Sequence, residues 1–538
     1  MIKKYLYTLS LLLILPVTVL SQETLPPYHW ANTYLDYLIV NGSLSQLNRN
    51  QRPFNRGEIA RALLQIENID QSTANDRKIL KEMFAEFSAE FDLLARQEGE
   101  KWQVLIEKVK NFLEETEGKT ESKMTLKAGG YLRGGAVRLN ESNDGYFKMN
   151  PLVVFYFTPD LIACWNFVVF NKADKDYIGK KFSGLYAYNE QAYLEYNNDW
   201  LKVKFGRDWL QLGPGSTGQL LFSDNSRTFD QYYFQIGKSS LQLHFWGIML
   251  DRRRNPEPAL REKNDFSNRF INGHRLSYNY KNRYRFALNE IVLYGGPDVQ
   301  WELPYMNPLT SYHAYMLNRN YRDGNVFYSA EWDLYFKNVE VYGEFLVDDI
   351  QIEEKTALDL EPDQWGLIAG VKWSNLFKWN GSLFNTEYIH LRHRAYNSPN
   401  YDWEKYLHRN KVIGYALESN LERYYVKIDK WWAGNLKSGV FLSYLRKGEG
   451  NTAGAYNKDF LEREPGEDYS EPFPFGIVEK HLQAGISFFY RPLKYGNIQL
   501  EAAYNDFGNY LNIKGKNHSE WTARAELWLE WKEMLRLD

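Results

Sequence analysis

The sequence predicts a closed antiparallel β-barrel of about 18 strands that crosses a membrane and is preceded by an α-helical domain. Three observations support this all-β barrel class. From about Met124 to Trp531, apolar and polar residues alternate in segments of about 10 to 12 residues, close to the ~9–11 that a spanning strand needs. Tyr, Phe and Trp make up 16% of the chain, as expected for interfacial aromatic belts. After residue 21, no segment approaches the ~20 consecutive apolar residues of a membrane-spanning helix.

Residues 1–21 are predicted to be a signal peptide. Lys3 and Lys4 form a basic start, the following run to Leu20 is apolar, and Ser21 is tolerated before a cut at Gln22. A membrane-anchor helix is the alternative, but the run is short for a span. With a barrel downstream, the predicted location is the cell outer membrane after signal-peptide cleavage.

Residues 22–122 are predicted to form a periplasmic helical domain. Gly42 is placed to end the first helix and Asn55 to cap the second. Later apolar residues step by 3 and 4, which indicates a helical hairpin or one kinked helix. The apolar stripes are Trp30, Tyr34, Tyr37 and Leu38, then Ile59, Leu63 and Ile66, then Leu80, Phe84, Phe87, Phe91 and Leu94, then Trp102, Leu105, Val109 and Phe112. The sequence leaves open whether this domain plugs the barrel or docks periplasmic or cell-wall partners.

Residues 123–538 are predicted to form the barrel. In NVFYSAEWDLYF, for example, Val326, Trp332 and Phe336 fall on one face and Glu331 and Asp333 on the other. A soluble sandwich shows the same alternation, but its strands usually run ~5–6 residues. Short turns also alternate with long polar segments, a pattern typical of the two rims of an outer-membrane barrel. The long segments are 251–272, 297–324, 351–363, 395–409 and 448–479.

The residue patterns exclude several function classes. The chain contains no P-loop, no HExxH and no GxSxG pattern. Its net charge of −3 shows none of the basic excess that is typical of nucleic-acid-binding proteins. The single cysteine, Cys164, cannot form an intramolecular disulfide. We therefore expect no catalytic residues, no metal, no cofactor and no nucleic-acid partner. Inward charges such as Lys202, Lys204, Arg285, Glu331, Asp333 and Arg491 are expected to line a wet lumen.

One segment between two predicted strands lacks alternation: GRDWLQLGPGSTGQLLFSDNS, Gly206–Ser226. Its Gly-Pro-Gly run ends any strand ladder. Arg207 and Asp208 can pair locally, and residues 223–225 are turn formers that bond their own backbone. We expect an ordered loop inside the lumen or across its mouth. The candidate motif residues are Gly206, Arg207, Asp208, Trp209, Gly213, Pro214, Gly215, Ser223, Asp224 and Asn225.

This segment resembles the signature loop of the Wzi-type capsule-assembly proteins of bacterial outer membranes. Three further stretches carry the resemblance: RFINGHRLSYNY (269–280), ALNEIVLYGGPDVQWELPYMNPL (287–309) and VEVYGEFLVDDIQ (339–351). The resemblance implies a helical bundle before a closed barrel of about 18 strands. It also implies a lectin-like role, holding exported capsular polysaccharide or exopolysaccharide at the cell surface, with surface polysaccharide and outer-membrane lipid as partners. Separately, WANTYLDYLIVNGSL with RPFNRGEIARAL is similar to one surface-layer-homology unit.

The segment 297–324 carries a cluster of aromatic and amide residues in the middle of a predicted loop. Aromatic faces stack on sugar rings and amides bond hydroxyl groups, so we expect these side chains to contact glycan from a lumen-facing loop. An interfacial girdle is the alternative, although a girdle should lie at strand ends. The glycan-binding candidates are Trp301, Tyr305, Asn307, Tyr312, Tyr315 and Tyr321, with Asn318 and Asn320 beside them.

The predicted function is non-enzymatic: the barrel binds exported polysaccharide and helps attach or assemble it at the cell surface. The first alternative is an outer-membrane porin for small polar solutes, which single-channel conductance would distinguish. The second is an enzyme that edits the polysaccharide, which would need a clustered nucleophile or carboxylate pair.

Overall fold

A computed structural model describes residues 22–66, 73–97, 124–139, 142–173, 177–255, 265–318, 324–350, 362–462 and 471–537. The predicted signal peptide and the apolar stripe from Trp102 to Phe112 lie outside these residues, and both stay predictions.

A closed barrel of 18 antiparallel strands confirms the predicted fold class. Each strand pairs with its neighbours along the chain. The first strand closes on the last, with Met124 opposite Leu537 and Leu139 opposite Thr522. The strands, β1 to β18, are Met124–Leu139, Ser142–Tyr156, Leu161–Phe170, Tyr186–Asn197, Leu201–Asp208, Phe229–Lys238, Leu241–Met249, Phe266–Tyr280, Tyr284–Gly296, Asn325–Phe336, Val339–Asp349, Gln364–Ser374, Ser382–Leu391, Leu421–Ala433, Leu436–Lys447, Glu479–Leu493, Gly496–Gly508 and His518–Leu537.

The outer wall of the barrel is apolar and its inner wall is largely polar and buried. Strand β12 alternates strictly between partly exposed and buried positions, so Trp365 and Leu367 face outward while Ile368 and Lys372 are buried in the lumen. On β18, Trp521 is 64% exposed. Closure pairs the backbone groups between strands, and an apolar band outside is the arrangement that a bilayer requires.

The two rims of the barrel differ in the length of their connections. The chain enters β1 and leaves β18 on the rim that carries the short turns. That rim displays exposed aromatic side chains, including Phe377, Trp379, Trp432 and Tyr495. The short turns are 157–160, 198–200, 239–240, 281–283, 337–338, 375–381, 434–435 and 494–495. The long connections are 171–185, 209–228, 250–265, 297–324, 350–363, 392–420, 448–478 and 509–517.

Among the described residues, four helices precede the barrel: α1 (Ala31–Val40), α2 (Arg56–Leu64), α3 (Ala74–Glu86) and α4 (Ser88–Gln97). As predicted, Gly42 follows α1 with φ of +88°, and the Asn55 side chain accepts a hydrogen bond from the Gly57 amide at the start of α2. The stripe from Leu80 to Leu94 is divided between two helices that are interrupted at Phe87. In the described part of the chain, every helix is too short or too polar to cross a membrane.

This helical segment, residues 22–66 and 73–97, fills the short-turn end of the lumen, and we call it the plug. The Tyr34 hydroxyl donates to the Gly434 carbonyl at 2.7 Å, and the Tyr37 hydroxyl donates to Asn375 Oδ1 at 3.0 Å. Both partners lie in turns of the short-turn rim. The plug also shares one apolar core with barrel residues such as Trp431. Of the two possibilities left open by the sequence, the structure therefore has the helices inside the barrel.

Buried ion pairs join the plug to the wall. Lys127 Nζ lies 2.5 Å from Glu23 Oε1 and 3.0 Å from Glu90 Oε1, and Lys532 Nζ lies 2.9 Å from Glu86 Oε1. Removing one partner of such a pair leaves a buried charge uncompensated, which costs several kcal/mol.

The same geometry corrects the prediction of a wet lumen around the inward charges. Arg491 pairs with Glu82 of the plug at 2.8 Å. Glu331 pairs with Arg275, and Lys204 with Asp208, both among buried side chains. These inward charges are therefore partnered by protein groups of the wall or of the plug.

Candidate functional site

The segment 209–228, between β5 and β6, crosses the lumen to the opposite wall. Two buried carboxylates on that wall hold its backbone. Glu387 accepts hydrogen bonds from the Ser216 and Thr217 amides at 2.6 and 3.1 Å. Glu344 accepts from the Leu220 and Leu221 amides at 2.8 and 2.9 Å. The loop therefore has polar partners for a backbone that a lumen would otherwise leave unsatisfied.

Close backbone approach explains the Gly-Pro-Gly run. Gly213 has φ of +121°, and a Cβ there would lie 2.6 Å from Glu344 Oε2. A Cβ on Gly215 would overlap the Gly218 carbonyl. Pro214 lies between them and is buried. Only glycine fits at both positions, so the run is a packing requirement of the crossing segment.

Arg207 and Asp208 do not pair with each other, which corrects the sequence expectation. They are adjacent on strand β5, so their side chains point to opposite faces. Arg207 pairs with Asp230 on the neighbouring strand. Asp208 is fully buried and accepts hydrogen bonds from Thr24 at 3.0 Å and Gln191 at 2.9 Å. Asp208 thus connects the motif to the plug.

The turn-forming residues 223–225 bond mainly to another loop rather than to their own backbone. The Ser223 hydroxyl donates to the Gly414 carbonyl at 2.5 Å, and Asn225 Nδ2 donates to the Val412 carbonyl at 2.9 Å. One local bond, from the Asn225 amide to Ser223 Oγ, is present at 3.2 Å. The motif therefore positions the segment 392–420 over the lumen.

Three motif residues, Trp209, Asp224 and Asn225, line a cavity of about 300 Å³ that we call the lumenal cavity. Pro27 and Tyr28 of the plug lie on one side of it, opposite the long connections 171–185 and 392–420. Its remaining lining residues are Arg133, Lys148, Phe170, Lys172, Ala173, Tyr177, Tyr188, Glu190, Ser226, Arg227, His408, Arg409 and Lys411. Six of these side chains are Lys or Arg, against two carboxylates including Asp224, so the cavity is strongly basic.

Aromatic rings orient two of the cations. The Arg133 guanidinium lies 3.9 Å from the centroid of the Tyr28 ring. The Arg227 guanidinium lies 4.0 Å from the Tyr177 ring and 4.6 Å from the Tyr188 ring. Such cation–π contacts hold the charges over the rings in a fixed geometry.

A short hairpin presents two further cations, Arg409 and Lys411. Leu407–His408 pairs with Lys411–Val412, and the two residues between them, Arg409 and Asn410, have φ of +49° and +64°, as a tight hairpin turn requires. Burial, together with the nearby Arg227 and Arg207 guanidinium groups, lowers the pKa of Arg409. The guanidinium groups crowded around Arg409 therefore favour an additional negative charge in this part of the cavity.

The aromatic candidates of segment 297–318 lie elsewhere, and the expectation of a lumen-facing loop is wrong. Tyr305 and Tyr312 are only 2% and 1% exposed and pack with Phe270 and Tyr294. Phe270 lies on β8 and Tyr294 on β9. The residues next to them along these strands, such as Ile271, belong to the lumen core, so Phe270 and Tyr294 themselves face outward. Trp301 and Tyr315 are partly buried against the same outer cluster. Asn307 is exposed, and Tyr321 and Asn320 lie outside the described residues.

Between the plug and the barrel wall lie three side chains of the types that can bind a metal ion, and they belong to an ion-pair network. The side chains of His29, Glu86 and Glu530 offer ligand atoms within 4.8 Å of one another. His29 Nδ1 accepts a hydrogen bond from the Ala31 amide at 3.2 Å, so Nε2 carries the ring proton and cannot ligate a metal. Glu86 also pairs with Arg56 at 2.9 Å.

Sequence reasoning missed Arg227, Arg409 and Lys411 as lumenal cations. Arg227 directly follows the motif segment, and HRNK (408–411) carries a two-residue turn signal between basic residues. This turn signal is local in the sequence. The approach of these cations to one another is not, because it depends on three separate connections and on the plug.

No curated protein matches the chain. A solved structure of Wzi, an outer-membrane protein involved in group 1 capsule assembly in Escherichia coli and described as a carbohydrate-binding β-barrel, superposes with a TM-score of 0.58 at 11% identity. The match covers 95% of this chain and 99% of that one. OccK1 of Pseudomonas aeruginosa gives a TM-score of 0.44 at 12% identity, over 76% of this chain and 99% of that one.

The sequence model of one family, described as capsule assembly protein Wzi, matches residues 107–530. This range includes the whole crossing segment and all strands up to most of β18. The chain belongs to the Wzi family of capsule assembly proteins.

Proposed function

We propose that this protein is an outer-membrane barrel that binds exported acidic polysaccharide in the lumenal cavity and helps attach or assemble it at the cell surface. The observation that carries the proposal is the excess of six cations over two carboxylates in a cavity bordered by long connections of the barrel. Family membership supports the role in capsule assembly. The apolar outer wall supports the location in a membrane.

The lining matches the chemistry of an acidic sugar chain. Guanidinium groups such as those of Arg227 and Arg409 pair with sugar carboxylates through charge-assisted hydrogen bonds. Trp209 brings an aromatic ring to the cavity lining for contact with sugar C–H groups, and Asn225 offers an amide. Each site would bind weakly, and a long repeating polymer would gain retention by engaging many barrels at once.

An open diffusion channel fits the structure less well. The plug fills the short-turn end of the lumen, and the crossing segment is held to the opposite wall by Glu344 and Glu387. A porin needs a water-filled path between the two rims, whereas the described residues pack a core through the middle of the barrel.

The test is binding of an acidic oligosaccharide to purified protein in detergent, compared with its carboxyl-reduced form. The variant carries Arg227→Gln and Arg409→Gln, and the matched control carries Arg254→Gln, an exposed arginine outside the cavity. A hydrogen bond to a charged group contributes about 1.5–3 kcal/mol, so each lost guanidinium should weaken binding about 10-fold or more. Equal affinity of the double variant and the control would place the site elsewhere. Equal affinity for the carboxyl-reduced sugar would show that the carboxylates of the sugar are not recognised and would contradict binding of an acidic polymer.

A further inference from the structure

Residues 297–318, which we call the outer flap, fold back over the outside of the barrel. The flap contains two short helices, Leu303–Met306 and Tyr312–Leu317. The Trp301 ring lies 4.8 Å from Phe270, and the Tyr305 ring lies 4.6 Å from Tyr294. Both partners are outward-facing residues of β8 and β9. One side of the flap therefore packs against the barrel wall.

A polar anchor fixes the flap over these strands. Glu290, on the outward face of β9, accepts hydrogen bonds from the His313 amide at 3.0 Å and from the Tyr328 hydroxyl at 3.1 Å. Its other oxygen lies 3.0 Å from Nε2 of His274 on β8, and the His274 ring packs at a tilt against Tyr312, with 4.7 Å between the ring centroids. The flap thus covers a carboxylate and a histidine that would otherwise face lipid, where an unpaired charge is strongly unfavourable.

The other side of the flap is strongly apolar. Leu303, Leu309 and Leu317 are 79%, 83% and 72% exposed. Within 297–318 only Asp298 and Glu302 carry formal charge. The long connection 392–420, which contacts the lumen, carries eight charged Asp, Glu, Lys or Arg residues. The flap is therefore much poorer in charge than this lumenal connection.

The apolar side of the flap continues the exposed outer wall of the barrel. Nearer the short-turn rim on the same strands, Phe286 and Leu288 of β9 and Leu276 of β8 are all exposed and apolar. The flap covers the next positions up β9, from Glu290 to Tyr294, and so replaces the strands as the outermost layer there.

We propose that the outer flap is a lipid-facing element whose three exposed leucines contact the acyl chains of the outer leaflet. The flap extends the apolar wall towards the long-loop rim and keeps Glu290 and His274 away from lipid. The inference rests on the membrane location of the barrel and is independent of polysaccharide binding, so failure of either proposal leaves the other unaffected.

The test places an environment-sensitive fluorophore on single cysteines in a Cys164→Ala background, since Cys164 is the only native cysteine. The flap variants are Leu303→Cys, Leu309→Cys and Leu317→Cys. Leu288→Cys on the barrel wall is the lipid control, and Ala453→Cys in the connection 448–478 is the water control, because both side chains are exposed. Only protein that shows heat-modifiable gel mobility is reconstituted into vesicles.

Flap labels should be quenched by acyl-chain nitroxide lipids to the extent seen at residue 288, and at least several-fold less by aqueous iodide than at residue 453. Iodide quenching equal to that at residue 453 would overturn the proposal. Cross-linking of Leu309→Cys between two copies, with no quenching by lipid, would also overturn it and would identify the flap as a contact between barrels.

Discussion

At the residue scale, two carboxylates decide the path of the crossing segment. Glu387 receives the Ser216 and Thr217 amides, and the Tyr342 hydroxyl donates to the same carboxylate at 2.9 Å. The sequence predicted an ordered inward loop from its Gly-Pro-Gly break. It could not predict the partners, because Glu387 lies 171 positions from Ser216 and pairing across a lumen leaves no local pattern.

Replacing Glu387 with Gln tests this arrangement directly. The amide keeps one acceptor oxygen but turns an NH₂ donor towards groups that also donate, so at least one buried N–H or O–H loses its partner. The expected cost is about 1–3 kcal/mol of folding free energy. Thermal unfolding in detergent measures it, and a protease site inserted after Ser216 should become cleavable. Glu533→Gln, at an exposed position on the outer wall, is the control, and equal stability of the two variants would contradict the assigned role.

At the element scale, the plug is a helical unit whose charges are satisfied by the barrel. The helical periodicity, the Asn55 cap and the Gly42 stop were predictable because they are local signals. The position of the plug was not, because its buried charges find partners such as Lys127 and Lys532 far along the chain. The lumen-facing position predicted for the residues of the outer flap was wrong for a related reason: only strand register places these aromatic residues outside the barrel. Glycan contact by these residues stays a prediction.

The ion pairs of the plug predict a pH dependence. Burial and Glu530 oppose ionisation of Glu86, but Lys532 and Arg56 outweigh them and lower the pKa of Glu86 to about 2. A pKa below the unfolded value of 4.5 stabilises the folded state above about pH 4.5, and this stability is lost as the pH falls towards 2. The full difference corresponds to about 3 kcal/mol. The melting temperature should stay level from pH 7 to 5 and then fall, and Glu86→Gln should flatten that fall; an equally steep fall in the variant would contradict the assignment.

At the scale of the whole molecule, the barrel combines an apolar outer wall with a lumen that is filled from both ends. The fold class followed from period-2 alternation and connection lengths, which are properties that closure and a bilayer impose on every strand. The lumenal cavity did not follow, because it forms where the plug, strands β1 to β4 and the connections 171–185, 209–228 and 392–420 meet. A filled lumen with a basic cavity suits retention of a polymer rather than its passage.

Retention of polysaccharide on cells tests the central claim most directly. Cells that produce an acidic surface polymer would carry either the native protein or the triple variant Arg227→Gln, Arg409→Gln and Lys411→Gln, with equal amounts of heat-modifiable barrel in the outer membrane. The measured quantity is the ratio of cell-bound to released polymer. Loss of three cavity cations should move most of the polymer into the medium, while the Arg254→Gln control retains it. Unchanged retention by cells with the triple variant, at equal barrel levels, would contradict binding in the lumenal cavity.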